Sequence, residues 1–245
     1  MSAALRLAGV SRRFGALAAV DGVDLEIAPG ERRAIIGPNG AGKTTLFNLV
    51  TGELPLSSGR VEIFGEDASR LPPHRRAALG LGRTYQITNV FPGLTVAENV
   101  ALAALGLSAR KYDMAGAMPA PSGAAAEALE LCGLGTREDA LCKHLSYGEQ
   151  RQLELAMALA SEPKLLLLDE PAAGLSASER LVLVRLIAAL PRHLSVVIIE
   201  HDMDLVLSLV DSVTCLHYGQ VVATGAPGEI REHPLVQEIY LGTAH

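Results

Sequence analysis

The run Gly37-Pro38-Asn39-Gly40-Ala41-Gly42-Lys43-Thr44 fits the pattern G-x-x-x-x-G-K-[ST], and Thr45 carries it into a helical run ending at Val50. Glycines at 37, 40 and 42 let the backbone turn so that successive amides, those of Asn39 and Ala41 among them, face phosphate oxygens. The helix start adds a favourable dipole. Lys43 is then the cation for the β and γ phosphates and Thr44 a ligand for Mg²⁺. A second constellation is Leu165-Leu166-Leu167-Leu168-Asp169-Glu170, apolar residues ending in two carboxylates. It places Asp169 at the carboxyl end of a buried strand, where it holds Mg²⁺ through water. Glu170, one residue on, is suited to take a proton from the water that attacks the γ phosphate. By itself an Asp-Glu pair after a strand also reads as a loop start or a helix cap; beside a phosphate loop it reads as catalytic. A third cluster, Leu145-Ser146-Tyr147-Gly148-Glu149-Gln150, opens a helix with a hydroxyl and free amides. The same residues also spell a capping box of Ser146 with Glu149.

Positioning these groups requires strands that end at Ile36, Asp169 and Glu200. Residues 31–36, 164–169 and 194–200 are short apolar runs bounded by turn signals, as buried parallel strands are. Residues 3–10, 20–27 and 59–64 instead mix apolar and polar positions, which predicts a small antiparallel β-subdomain with one wet face. From Val96 through Gly133 the chain is rich in Ala and Leu at helical spacing, interrupted over Met114 to Gly123, where Gly, Pro and Ser mark a loop. Residues 203–210 predict a helix, and Val213 to Leu216 with Val221 to Ala223 a closing hairpin turning at Tyr218-Gly219-Gln220. The expected fold is α/β: a P-loop nucleotide-binding core with a mostly parallel sheet, an antiparallel β-subdomain and a helical lobe. The 245 residues form one unit, about 1–85 and 160–245 as core and about 87–159 as helical lobe.

Composition narrows the function classes. The net charge of −6 argues against a general nucleic-acid binder, whose affinity rests on clustered Lys and Arg. Three cysteines without CxxC spacing suggest neither a disulfide framework nor a zinc site and point to a reduced, cytoplasmic compartment. No secretory pattern opens the chain. No apolar run reaches the roughly 20 residues of a membrane span, because Leu181 to Ile199 is broken by Arg185, Pro191, Arg192 and His193.

With all three clusters in this order, the chain resembles the ABC (ATP-binding cassette) ATPases. That family carries Leu-Ser-Gly-Gly-Gln where this chain has residues 145–149, so Tyr147 and Glu149 depart from the pattern while Ser146 and Gly148 keep it. Phe14 before Gly15, Gln86 in Thr84-Tyr85-Gln86, Gly174-Leu175-Ser176 and His201 after Glu200 also stand in the family's order. The resemblance implies ATP and Mg²⁺ as ligands. It implies that Phe14 stacks on adenine, that Gln86 touches Mg²⁺ or the attacking water and links to a membrane partner, and that His201 binds the γ phosphate. It also implies a head-to-tail dimer in which Ser146, Tyr147, Gly148 and Glu149 of one subunit face the ATP of the other. Ser176 stands where Asp or Asn is usual, which leaves its role open.

Residues 82–99, Ala34-Ile35-Ile36-Gly37, Leu46-Phe47-Asn48, Glu170 to Leu175 and the ending from Glu232-His233-Pro234 to Tyr240-Leu241-Gly242 are similar to the ATPases of branched-chain and hydrophobic amino acid importers. That resemblance implies an ATPase subunit on the cytoplasmic face of the plasma membrane. Its partners are transmembrane permease subunits, a homodimer mate or a sister ATPase, and, indirectly, a solute-binding protein. Importers of urea or short amides and lipopolysaccharide exporters are the nearest alternatives; a soluble ABC protein working on ribosomes is the alternative of a different class. Val90, Phe91 and Pro92 read either as an apolar groove for a helix of the membrane subunit or as core.

Overall fold

The structure is a computed structural model, and it describes residues 2–84, 90–106 and 123–241. The apolar runs become β3 (Arg32–Ile36), β7 (Leu165–Asp169) and β8 (Ser195–Ile199), every residue of which is buried. With β6 (Leu81–Arg83), β9 (Ser212–His217) and β10 (Gln220–Gly225) they form one sheet in the order β10-β9-β3-β8-β7-β6. Only β10 runs antiparallel to its neighbour. Side chains alternate along each strand, so this sheet divides two cores. Ala34, Ile36, Leu166, Leu168, Val196 and Ile198 face one; Ile35, Leu165, Leu167, Val197 and Ile199 face the other.

The second core is closed by an antiparallel sheet, β2-β1-β4-β5, built from β1 (Leu5–Phe14), β2 (Leu17–Ile27), β4 (Ser58–Ile63) and β5 (Glu66–Asp67). Helix α1 (Lys43–Thr51) lies between the two sheets, with Leu46, Phe47, Leu49 and Val50 buried. The first core is covered by α3 (Val96–Leu105), α4 (Ala124–Leu131) and α5 (Tyr147–Leu159), which pack on one another, and by α6 (Ala177–Ala189). A short α7 (Met203–Leu207) follows β8, and α8 (Pro227–Glu232) and α9 (Pro234–Leu241) close the described chain.

The predicted strands and the hairpin all form, with shifted limits. β1 runs on to Phe14, α7 stops at Leu207, and Gln220 belongs to β10 because Tyr218 and Gly219 alone take the positive φ of 46° and 78° that a two-residue hairpin requires. Several elements go unread in the sequence, β6 and α2 among them. β6 is too short and too glycine-rich to signal itself and exists because β7 offers it a parallel partner. α2 (Pro73–Ala78) is about one and a half turns with no large apolar side chain, anchored by Arg76. The guanidinium of Arg76 is buried and donates to the carbonyls of Leu49 at 2.6 Å, Val50 at 2.8 Å and Leu71 at 2.9 Å. It thereby satisfies the C-terminal carbonyls of α1. Arg76→Ala strands those carbonyls, and an expected loss of about 2 kcal/mol should be read as a lower urea midpoint at unchanged m-value.

Candidate active site

Residues 37–44 join the end of β3 to the start of α1. Two of the glycines are dictated by this geometry. Gly37 (φ 148°) lies so close to the Leu216 carbonyl, and Gly42 (φ 100°) to that of Ala19, that a Cβ on either would collide with backbone. The loop folds over Lys43, which is buried and whose Nζ donates to the carbonyls of Gly37 at 2.7 Å and Pro38 at 3.0 Å. Burial pushes the Lys43 ammonium below its usual pKa, and the carboxylates of Glu170 and Asp169 push it back up.

Above the loop lies a cavity of about 410 Å³, inside the common range of small-molecule sites. Asn39 through Thr45, Phe14 and Glu170 line it, whereas Gly37 and Pro38 are not among its lining residues. Thus eight predicted nucleotide-binding residues and the predicted base meet in one place. Phe14 is half-exposed at the end of β1, with the Arg12 guanidinium 4.7 Å from its ring centre. Leu17, which the sequence reading does not single out, and Tyr218, read there only as part of a turn, also line the cavity.

Asp169 is buried. Its Oδ2 accepts from Arg83 Nη2 at 2.9 Å, while its Oδ1 has no hydrogen-bond partner among the described residues. Burial pushes its carboxyl up and Arg83 pulls it down. Arg83 Nη1 also reaches Asn48 Oδ1 at 2.7 Å on α1 and Glu53 at 3.1 Å, so it ties the loop's helix to the strand that ends at Asp169. Glu170 follows with a positive φ of 46°, an uncommon conformation for a residue with a side chain and one concentrated at functional sites. Its amide donates to Ile199 O at 3.0 Å.

Because Asp169 pairs in register with Ile199, the ends of β7 and β8 lie side by side. Glu200, fully buried, accepts from the Ala172 amide at 3.0 Å and from the His201 amide at 3.2 Å, bracing both segments. Burial raises the Glu200 carboxyl, and these amides oppose the rise. His201 itself is largely exposed and is not among the residues lining the cavity. Gln86, with Tyr85, lies outside the described residues.

At the start of α5 the capping box forms: the Glu149 amide donates to Ser146 Oγ at 3.2 Å, and the Ser146 amide to Glu149 Oε2 at 2.8 Å. The Gly148 amide donates to Glu179 Oε1 at 3.1 Å. Glu179 in turn accepts from the Ser176 amide at 2.9 Å, and Ser176 caps α6. Two of the donors expected to serve phosphate are therefore engaged inside the chain, since helix-start amides take the nearest carboxylate or hydroxyl. Tyr147 Oη accepts from Arg151 Nη2 at 2.8 Å and donates to Ala173 O at 3.4 Å. Arg83, Glu200 and Glu179 carry no motif of their own, and only the fold places them at the site. Val90 packs partly against the first core, while Phe91 is half-exposed with its backbone held by Asn99.

A phosphate loop, an Asp-Glu strand end and a capped helix start are shared by several nucleotide-binding folds, so the comparison with known proteins decides between them. The ABC transporter family model matches residues 20–173, and a model described as branched-chain amino acid ATP-binding cassette transporter matches residues 220–245. This chain belongs to the ABC transporter family. The cassette is an ATPase, and it is 38% identical over 98% of both chains to the high-affinity branched-chain amino acid transport ATP-binding proteins BraF of Pseudomonas aeruginosa and LivG of Escherichia coli K12. Among solved structures it is similar to the ADP conformation of MJ1267, an ATP-binding cassette of an ABC transporter, with a TM-score of 0.87 at 30% identity over 99% of each chain. It is also similar to the dimeric cassette MJ0796, with a TM-score of 0.77 at 25% identity over 91% of this chain and 98% of that one. No helix among the described residues of the cassette is long and apolar enough to cross a membrane.

Proposed function

We propose that this cassette hydrolyses ATP to power import of branched-chain or other hydrophobic amino acids. The observation that carries the catalytic part is the single cavity in which Asn39 to Thr45 and Glu170 face one another. Phosphates entering it compete with the Gly37 and Pro38 carbonyls for Lys43, and the amides of Gly40 to Thr45 supply the remaining donors. Phe14 offers an aromatic face to the adenine. Thr44 and Asp169 fit Mg²⁺, for the buried Asp169 Oδ1 lacks any other partner among the described residues and Thr44 is exposed and lines the cavity. The ion supplies charge neutralisation of the phosphates when bound. Glu170 takes the proton of the attacking water, and His201 and Gln86 contact the γ phosphate and the water as the strands close around them.

The second half of the site comes from a second cassette, a copy of this chain or a sister ATPase, in a dimer of the kind named for MJ0796. Ser146, Tyr147, Gly148 and Glu149 at the start of α5 then face the partner's ATP, and the Gly148 amide exchanges Glu179 for phosphate. Closing the pair excludes water and completes the donor set around the γ phosphate. Residues of about 87–159 act as the lobe that moves against the core at 1–85 and 160–245. Phe91, exposed and held rigid, belongs to the face that meets the permease at the cytoplasmic side of the plasma membrane. The near full-length likeness to LivG and BraF supports the amino acid reading.

The test is a pull-down of the Glu170→Gln form with ATP and Mg²⁺ from gently solubilised source membranes, followed by mass spectrometry. Two multi-spanning membrane subunits and a solute-binding protein that titrates with leucine, isoleucine or valine are expected. A binding protein selective for urea or amides would replace the substrate assignment, and recovery of ribosomal proteins without membrane subunits would overturn transport.

A further inference from the structure

The C-terminal helix α9 ends against the phosphate loop. Val236 and Ile239 are buried in the core on the helical side of the central sheet, which anchors α9 and brings Tyr240 to the end of β3. There the Gly37 amide donates to the Tyr240 hydroxyl oxygen at 2.8 Å. Gly37 is the first residue of the loop, and its own carbonyl accepts from Lys43 Nζ at 2.7 Å. One residue is thus gripped by the C-terminal helix through its amide and by the phosphate-directed cation through its carbonyl. The turn has little freedom to absorb a change, because the Leu216 carbonyl crowds the Gly37 α-carbon.

We propose that Tyr240 is a positioning residue for nucleotide binding: by holding the Gly37 amide, α9 sets where the loop leaves β3 and hence where Lys43 and the loop amides meet phosphate. The phenol is partly buried among apolar neighbours, and burial pushes it up to about 12, so it stays neutral and keeps its role across the working pH range. The link runs from the Tyr240 hydroxyl oxygen to the first amide of the loop. The inference rests on residues 37–44 being the phosphate loop.

The test compares Tyr240→Phe with Val236→Ala, titrating each with a fluorescent ADP analogue and melting each without nucleotide. Tyr240→Phe removes only the oxygen and is expected to weaken ADP binding by about five- to tenfold, the scale of one lost hydrogen bond to a neutral group. Val236→Ala opens a small void under the same helix and is expected to lower the melting temperature while ADP affinity stays within about twofold of the parent. Parent-like affinity in Tyr240→Phe would overturn the proposal, as would an equal loss in Val236→Ala, which would mark a general loosening of the helix. Failure of the parent chain itself to bind ADP would overturn the phosphate-loop reading and this inference with it; failure confined to the Tyr240→Phe comparison leaves that reading standing.

Discussion

Glu170→Gln is expected to bind ATP with parent-like affinity while turnover falls by about 10²–10⁴-fold, the usual contribution of a positioned general base. The side chain keeps its size and the backbone its positive φ, so the cavity retains its shape and its loop donors. What is lost is the carboxylate able to take a proton from water. Because the loop before Ala172 is held by Glu200 and the Glu170 amide by Ile199, the substitution should not let the segment drift. Single-turnover hydrolysis with equilibrium binding measured beside it separates the two effects. A second consequence follows in a sandwich of two cassettes: ATP that is bound but not cleaved should hold the pair closed, and size-exclusion chromatography should show an ATP-dependent shift to dimer for Glu170→Gln and a weaker one for the parent. Hydrolysis within about threefold of the parent would remove Glu170 from the role of base.

Lys43→Ala should act one step earlier, on binding. The ammonium has given up its hydration to sit against two carbonyls at the base of the loop, and phosphate is the better partner for a dehydrated cation. Losing a charge-assisted contact of about 1.5–3 kcal/mol corresponds to roughly 10- to 150-fold in the dissociation constant for ATP. Folding should suffer far less. Burial already disfavours the charged amine, so alanine removes a desolvation cost together with the two carbonyl bonds. The expected melting temperature lies within about 4 °C of the parent, the shift that roughly 1 kcal/mol produces in a chain of this size. Isothermal titration with ATP, paired with a thermal melt, reads both quantities. Unchanged affinity would mean that phosphate does not sit over Lys43.

Much of this arrangement is local chemistry and can be read from residue types alone. Gly37 and Gly42 stand where no side chain fits, the apolar runs ending at Ile36 and Asp169 read as buried strands, and Ser146 with Glu149 spells the cap that α5 in fact has. A three-residue strand such as β6 gives no comparable signal, because its pairing partner lies at Leu165 to Leu167, far along the chain. Helix limits near Met203 were overestimated for a related reason: apolar periodicity continues after Leu207, but the chain turns there to lead into β9.

Residue types and spacing by themselves determined the phosphate loop, the two carboxylates, the alternation of strands and helices and the family resemblance, since each depends on interactions within a few residues. Only the tertiary structure decided which distant groups complete the site. Arg83 meets Asp169, Glu200 braces Ala172, Glu179 occupies the Gly148 amide and Tyr240 reaches Gly37. These are contacts across strands and helices well separated in the chain. An arginine, a glutamate or a tyrosine is by itself an ordinary surface residue, and it becomes part of the site only when packing of the two cores fixes what lies beside it.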